Sequence, residues 1–271
     1  DFTTGEYLYE LNNPSSIKKI EVKIPKSAKF SRNFTKILIS KSKNIPPNLK
    51  KNFRATVVVE YGFGTCSYLA KVKQNGDWKD HIRFEEGGKP LRSLNVKLKE
   101  GNILNAVKFK LLLPETRNNL NEVLATVFMR KLGFISPETF QVETVVNGVG
   151  AVMLFQEDLR KELLERNNRR EGPVFEGDED LLWSFEDFGN FELEKLALSK
   201  VGNDKWFLKG GSSQQITLSA YAKLQNAYLD YSQNIENRKE HILFPNNRKS
   251  SNFEDYFFAL LTMNGMHALR P

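Results

Sequence analysis

One cysteine, three histidines and three tryptophans in 271 residues leave little material for the sites that sequence motifs announce most clearly. Cys66 has no partner for an intrachain disulfide, and none of the paired-cysteine metal motifs can be built from it. His81, His241 and His267 lie far apart, without His-x3-His or His-Glu-x-x-His spacing, so a zinc site has no support. Long apolar runs are missing as well. The longest, Tyr256 to Met263, falls well short of the ~20 residues a membrane helix needs. No signal-peptide pattern opens the chain, although it starts at Asp1 rather than Met, which is compatible with a processed or truncated N-terminus.

What is present suffices for a folded core. Hydrophobic residues make up 40% of the chain, enough for one large domain or two small ones and too many for disorder. Lys and Arg number 40 against 33 Asp and Glu, a net charge of +7 that favours anionic partners such as nucleotides, acidic glycans or nucleic acid. Lysines crowd the first fifth of the chain, from Lys18, Lys19 and Lys23 to Lys50 and Lys51. No aromatic-basic RNA motif accompanies them, so a solvated surface is the plainer reading and there is no specific nucleic-acid signal.

Ile20, Val22 and Ile24 alternate with Glu21 and Lys23. Thr35 to Ser40, Arg54 to Tyr61 and Thr65 to Lys73 share that strand character, so the first eighty residues read as antiparallel β. Asn44 to Lys51, with Pro46 and Pro47, reads as a loop and a candidate boundary. Phe109 to Leu113, ended by Pro114, has the length of a buried strand. Leu120, Val123, Leu124, Val127, Phe128 and Leu132 recur at helical spacing, with Asn118 or Asn119 as the expected N-cap and Gly133 just past the end. Thr139 to Val146 alternates, turns at Asn147-Gly148 and continues through Val149 to Phe155, a hairpin signature. Asp158 is expected to cap a helix reaching about Glu165. Glu171 to Asp180 carries five carboxylates without the ligand spacing of a calcium loop. Lys209 to Ser213 reads as a loop, and helices are expected near Leu218 to Ile235 and from Phe253 to Met263.

Arg92-Ser93-Leu94-Asn95-Val96-Lys97-Leu98, the helix ending Arg130-Lys131-Leu132-Gly133-Phe134, Pro137, Val146-Asn147-Gly148 and Leu154-Phe155-Gln156-Glu157-Asp158 follow in an order that resembles the spore-coat CotH family of atypical protein kinases. The resemblance covers roughly residues 80 to 170 and extends to the last twenty. It implies an α+β, protein-kinase-like two-lobe fold with an N-terminal antiparallel β module and an incomplete C-terminal lobe. The expected parts are residues 1–52 as a β-rich accessory module, 53–156 as the N-lobe and 157–271 as the start of a helical C-lobe. The activity implied is transfer of phosphate from ATP, with Mg, to a Ser or Thr of a protein or to a glycan hydroxyl. The alternative is a non-catalytic assembly protein or an anionic-polymer binding protein of the cell surface. Compartment, bacterial cytoplasm or cell envelope, stays open.

Phosphoryl transfer rests on positioning and charge neutralisation, which assigns roles to residue types. Lys97 matches the last Lys of the family's Lys-rich strand and is expected to meet phosphate oxygens, with Lys99 competing on the same face. Glu122, in the following helix, is expected to stand opposite the Lys, although the family more often has Asn there; an exposed first-turn Glu favourable to the helix dipole is the plainer alternative. Gln156 and Glu157 resemble the acidic corner that meets adenine or ribose. Glu85 to Pro90 is either a flap that brings Lys89 or Arg92 to phosphates or a simple hairpin turn. Asn264 and His267 resemble the start of the catalytic neighbourhood, in which the family's Asp is not at its place.

Overall fold

A computed structural model describes residues 3–42, 44–177, 199–237, 259, 262 and 263. The chain divides into two compact units, Asp1–Phe128 with Ser136–Asp158, and Met129–Ile135 with Leu159–Pro271.

The first unit opens with α1 (Thr4–Asn12), capped by a reciprocal pair in which Thr3 Oγ1 accepts from Glu6 N while Glu6 accepts from Thr3 N. Strand β1 (Lys19–Lys23) and helix α2 (Ser27–Ile39) follow. Then come β2 (Phe53–Tyr61), β3 (Gly64–Gln74), a small hairpin of β4 (Ile82–Phe84) and β5 (Pro90–Arg92), and β6 (Leu94–Leu98). Strand β7 (Lys108–Leu112), helix α3 (Asn121–Lys131), whose residues from Met129 on belong to the second unit, β8 (Thr139–Val146) and β9 (Val149–Glu157) complete it. Seven of these strands close into a barrel in the order β1-β2-β3-β6-β7-β9-β8.

Period-two alternation dictates which side chains fill the barrel. Ile20, Val22, Val57, Val59, Val72, Leu94, Val96, Phe109, Leu111, Met153 and Phe155 are buried in one cluster, while their sequence neighbours face outward. Phe155 stacks between Phe109 and Phe140, with ring centroids 4.6 and 4.8 Å away. Each such pair contributes about 0.5–1.5 kcal/mol beyond the area it buries.

The seam is the parallel pairing of β1 with β8, Lys19 to Val22 against Glu143 to Val146. Asn147 secures it. Its N–H donates to Val22 O at 3.0 Å, its Oδ1 accepts from Ile24 N at 2.7 Å, and its Nδ2 donates to Ile24 O at 3.4 Å. Asn147 and Gly148 both have positive φ, 47° and 82°, as the tight hairpin turn demands.

This closure overturns the expected two-lobe, protein-kinase-like fold. Strand β1 spends one edge on β2 and the other on β8, so the sheet has no free edge there and the strands form a closed barrel instead of an open lobe. The mixture of helix and strand remains. The expected N-terminal antiparallel β module does not form either: the described part of 1–52 holds two α-helices and a single strand that belongs to the barrel. Thr35 to Ser40, read as a strand, is the last part of α2 and its C-cap. Phe30, Asn33, Phe34 and Ile37 bury one face of that helix at i, i+3, i+4 and i+7.

Helix α3 forms where periodicity puts it, and Gly133 (φ 86°) ends it while Phe134 N donates to Met129 O at 3.0 Å. Asn118 and Asn119 do not cap it; both are left-handed residues of the preceding turn. Its apolar stripe is not core: Leu120, Leu124, Val127 and Phe128 are exposed, and the buried residue of the helix is Thr126.

The second unit contains α4 (Lys161–Arg166), the pair β10 (Phe175–Gly177) and β11 (Ser199–Val201), α5 (Asp204–Phe207) and α6 (Gly211–Asn237). Asp158 does not cap α4, whose N-cap is Arg160. Gly211 to Ser213 begin α6 and are not loop. Buried Asn203 holds the unit's loop, accepting from Val174 N at 2.8 Å and donating to Gly172 O at 2.7 Å. Glu171 pairs with Lys209, so this member of the acidic stretch is neutralised. Asp178, Glu179, Asp180 and nearly all of the helix expected at Phe253 to Met263 lie outside the described residues.

Candidate functional site

Polar side chains converge on the outer face where β7, β9 and the start of α3 meet. Lys110 on β7 is paired directly with Gln156 on β9, and Gln156 is paired with Thr139 on β8. Gln156 is only 6% exposed, so its amide must find partners inside the protein. Its Nε2 donates to Glu122 Oε1 at 2.6 Å. A carboxylate in the first turn of α3 is thus held by a buried amide, next to a half-buried lysine. Directly opposed residues in a ladder have Cβ atoms about 4.5–5.5 Å apart, so Lys110 reaches the neighbourhood of Glu122 within its own length. Lys110 forms no ion pair among the described residues.

Two residues further along each strand, Lys108 Nζ binds Asp158 Oδ2 at 2.6 Å, both side chains largely buried, and Asp158 N donates to Lys108 O at 3.0 Å. Side chain and backbone together tie the end of β9 to the start of β7.

Glu157 lies between these two groups in sequence but on the other face. It is paired with Phe109, points to the inner side, and is 2% exposed. Its Oε2 accepts from Glu138 N at 3.1 Å, and its own N–H donates to Glu138 O at 2.9 Å.

The structure therefore brings together two of the residues expected at a nucleotide site, Glu122 and Gln156, and separates others. Lys97 is exposed on the outer face of β6, flanked by Lys71 on β3 and Lys108 on β7. It and Glu157 stand on opposite faces of the sheet, because Lys97 shares a rung with Lys108 while Glu157 shares the next with Phe109. Lys89 is exposed at the end of the tight turn of the β4–β5 hairpin, where Glu85 N donates to Lys89 O at 2.9 Å. Arg92 is no flap residue. It is 3% exposed, its guanidinium lies 3.4 Å from the Phe30 ring centroid, and its Nη2 donates to Phe30 O at 3.1 Å. Burial pulls its pKa down to about 9, which leaves it charged at neutral pH, and the aromatic face takes the place of a carboxylate. Arg92 anchors α2. Asn264 and His267 lie outside the described residues.

Lys110, Lys108 and Asp158 were missed by motif reading. The available signal was the alternation Lys108-Phe109-Lys110-Leu111 immediately before the helix that carries Glu122, which puts two lysines on the face opposite the core.

Lysines with a fixed acid and amide suit phosphate oxygens. No group of three or more His, Cys, Asp or Glu able to hold a metal occurs among the described residues. No protein-family model matches the sequence, and no curated protein matches it. No helix among the described residues is long and apolar enough to cross a membrane.

Proposed function

We propose that this chain binds ATP and transfers its phosphate to a protein Ser or Thr or to a glycan hydroxyl, with Lys110 in the role that motif reading assigned to Lys97. The observation that carries the reading is the 2.6 Å hydrogen bond from Gln156 to Glu122, beside the lysine paired with Gln156. The ordered resemblance to the CotH family supports the same class of chemistry. The barrel lends it no support from fold, so the proposal stands on the side chains.

ATP, when bound, supplies the phosphoryl group. Lys110 places a cation against phosphate oxygens, and Glu122 orients that cation by charge. Gln156 keeps Glu122 in one position, so that little reorganisation is left for the moment of reaction. Lys108 is occupied by Asp158 and serves to fix the strand end.

Equilibrium binding of a fluorescent ATP analogue tests this, with magnesium varied. Lys110→Ala should weaken binding about tenfold or more, roughly 1.4 kcal/mol, while Lys97→Ala stays within about twofold. Equal affinity in wild type and Lys110→Ala removes Lys110 from the role.

A further inference from the structure

Between Glu21 and Glu60 the chain carries ten Lys and Arg and no Asp or Glu, and α2 lies within that stretch. The helix is a costly place for so much positive charge. Its first turn holds no acid, and its N-cap, Lys26, makes no side-chain capping bond, although that end of a helix favours anions and capping oxygens. Helix α1 of the same unit has both, in Thr3 and Glu6.

The barrel holds α2 firmly from beneath. Arg92 lies over Phe30 and donates to its carbonyl, and Asn33 Nδ2 donates to Leu49 O at 2.9 Å. Lys79 Nζ donates to Leu38 O at 3.2 Å and Ser40 O at 2.7 Å, so the end of the helix is capped from outside it. The cations of α2 itself are left over. Lys29, Arg32, Lys36 and Ile39 recur at i, i+3, i+7 and i+10 and share one exposed face, within an arc of about 80° and over about 15 Å. The three cations form no ion pair and no side-chain hydrogen bond among the described residues. Ile39 beside them is 72% exposed. The other exposed positions of the helix, Ser27, Ala28, Ser31 and Thr35, are small.

We infer that this face of α2 docks on the surface of a membrane that contains anionic lipids. The three cations meet the negative headgroups, and Ile39 leaves water for the boundary between headgroups and acyl chains. The small neighbours let the helix lie close to a flat surface. A nucleic-acid backbone would use the same cations but gains nothing from an exposed aliphatic side chain. Nor does the face carry an aromatic ring for stacking or a free amide for base edges, since Asn33 is buried and engaged with Leu49. The contact is peripheral and goes beyond the nucleotide chemistry proposed above, with which it shares no residue.

The test is co-sedimentation of the whole chain with vesicles of phosphatidylglycerol and phosphatidylcholine in equal parts, against vesicles of phosphatidylcholine alone. The chain should bind the mixed vesicles, more weakly as salt rises, and leave the neutral ones unbound. The variant Lys29→Gln, Arg32→Gln, Lys36→Gln should bind about tenfold more weakly or worse. A control with the same charge loss elsewhere, Lys18→Gln, Lys71→Gln, Lys131→Gln, should stay within about twofold of wild type. Ile39→Ser, which keeps every charge, should weaken binding about threefold or more. Thermal melting confirms folding of each variant, and nucleotide binding through Lys110 should survive in all of them, so that failure of either reading leaves the other standing. Equal weakening by the two triple variants would reduce the effect to net charge and overturn the inference. So would absence of binding to the anionic vesicles, an Ile39→Ser protein that binds as wild type does, or a duplex oligonucleotide that outcompetes the vesicles.

Discussion

Phe53, Val72, Val96 and Phe109 stand side by side on the inner face of β2, β3, β6 and β7. One residue away on each strand, Arg54, Lys71, Lys97 and Lys108 stand side by side on the outer face. Both rungs end in an acid on the same stretch of chain. The inner one reaches Glu157, which takes the Glu138 N–H, and the outer one reaches Asp158, which takes the Lys108 ammonium. Two consecutive carboxylates thus serve opposite sides of a sheet. The inner rung is held by volume and contact, the outer by charge, and substitutions should separate the two.

The largest effect is expected inside. Phe109→Ala empties a site stacked on Phe155 and should cost about 3–5 kcal/mol, read as a drop in the urea midpoint, whereas Lys97→Ala on the outer rung should change stability by less than about 0.5 kcal/mol. Similar losses for the two would erase the distinction. Next comes the junction of the outer rung with its acid: Lys108→Ala leaves the largely buried Asp158 without its ammonium and should cost about 1.5–3 kcal/mol. A Lys108→Ala protein as stable as wild type would make the pair ornamental.

An interior group should also answer to pH. Burial lowers the His81 pKa below its ordinary 6.5, and the ring lies so close over Gly76 that a Cβ there would fall 1.9 Å from His81 Cδ2. Below pH 6.5 the unfolded chain binds a proton that the folded one refuses, so stability falls with acidification until the folded value is passed. The contribution is at most about 1.4 kcal/mol per pH unit. NMR titration of the imidazole checks it, and a midpoint at or above 6.5 would refute it. The smallest effect is a gain: Lys71→Gln relieves opposition from two cationic neighbours and should stabilise by about 0.2–0.5 kcal/mol at low salt, vanishing at high salt. A salt-independent loss would contradict repulsion along the outer rung.

Local pattern was legible and long-range partnership was not. The alternation through Ile20 and Val22, the runs at Arg54 and Thr65, the helix at Leu124 and the Asn147-Gly148 hairpin could all be read within a short window. Nothing in residues 19–22 names 143–146 as their parallel partner, so closure, and with it the departure from two lobes, had no local signal. At Thr35 to Ser40 the β-branched Thr35, Ile37 and Ile39 suggested a strand because the window left out Phe30 and Phe34, which complete the helical face. Glu122 and Gln156 were nameable as candidates, each at an element end. That Lys110 and not Lys97 accompanies them follows from the pairing of β7 with β9, which no spacing in the sequence encodes.

The clasp of Asn147 on Ile24 joins positions 123 residues apart. During synthesis the first strand therefore leaves the ribosome long before its second neighbour exists, and must wait with one hydrogen-bonding edge open until translation has passed the hairpin. Such non-local completion is slow compared with forming a local turn. Acquisition of the finished barrel is consequently a late, single event in the life of each new molecule, and chaperones have their widest opening just before it.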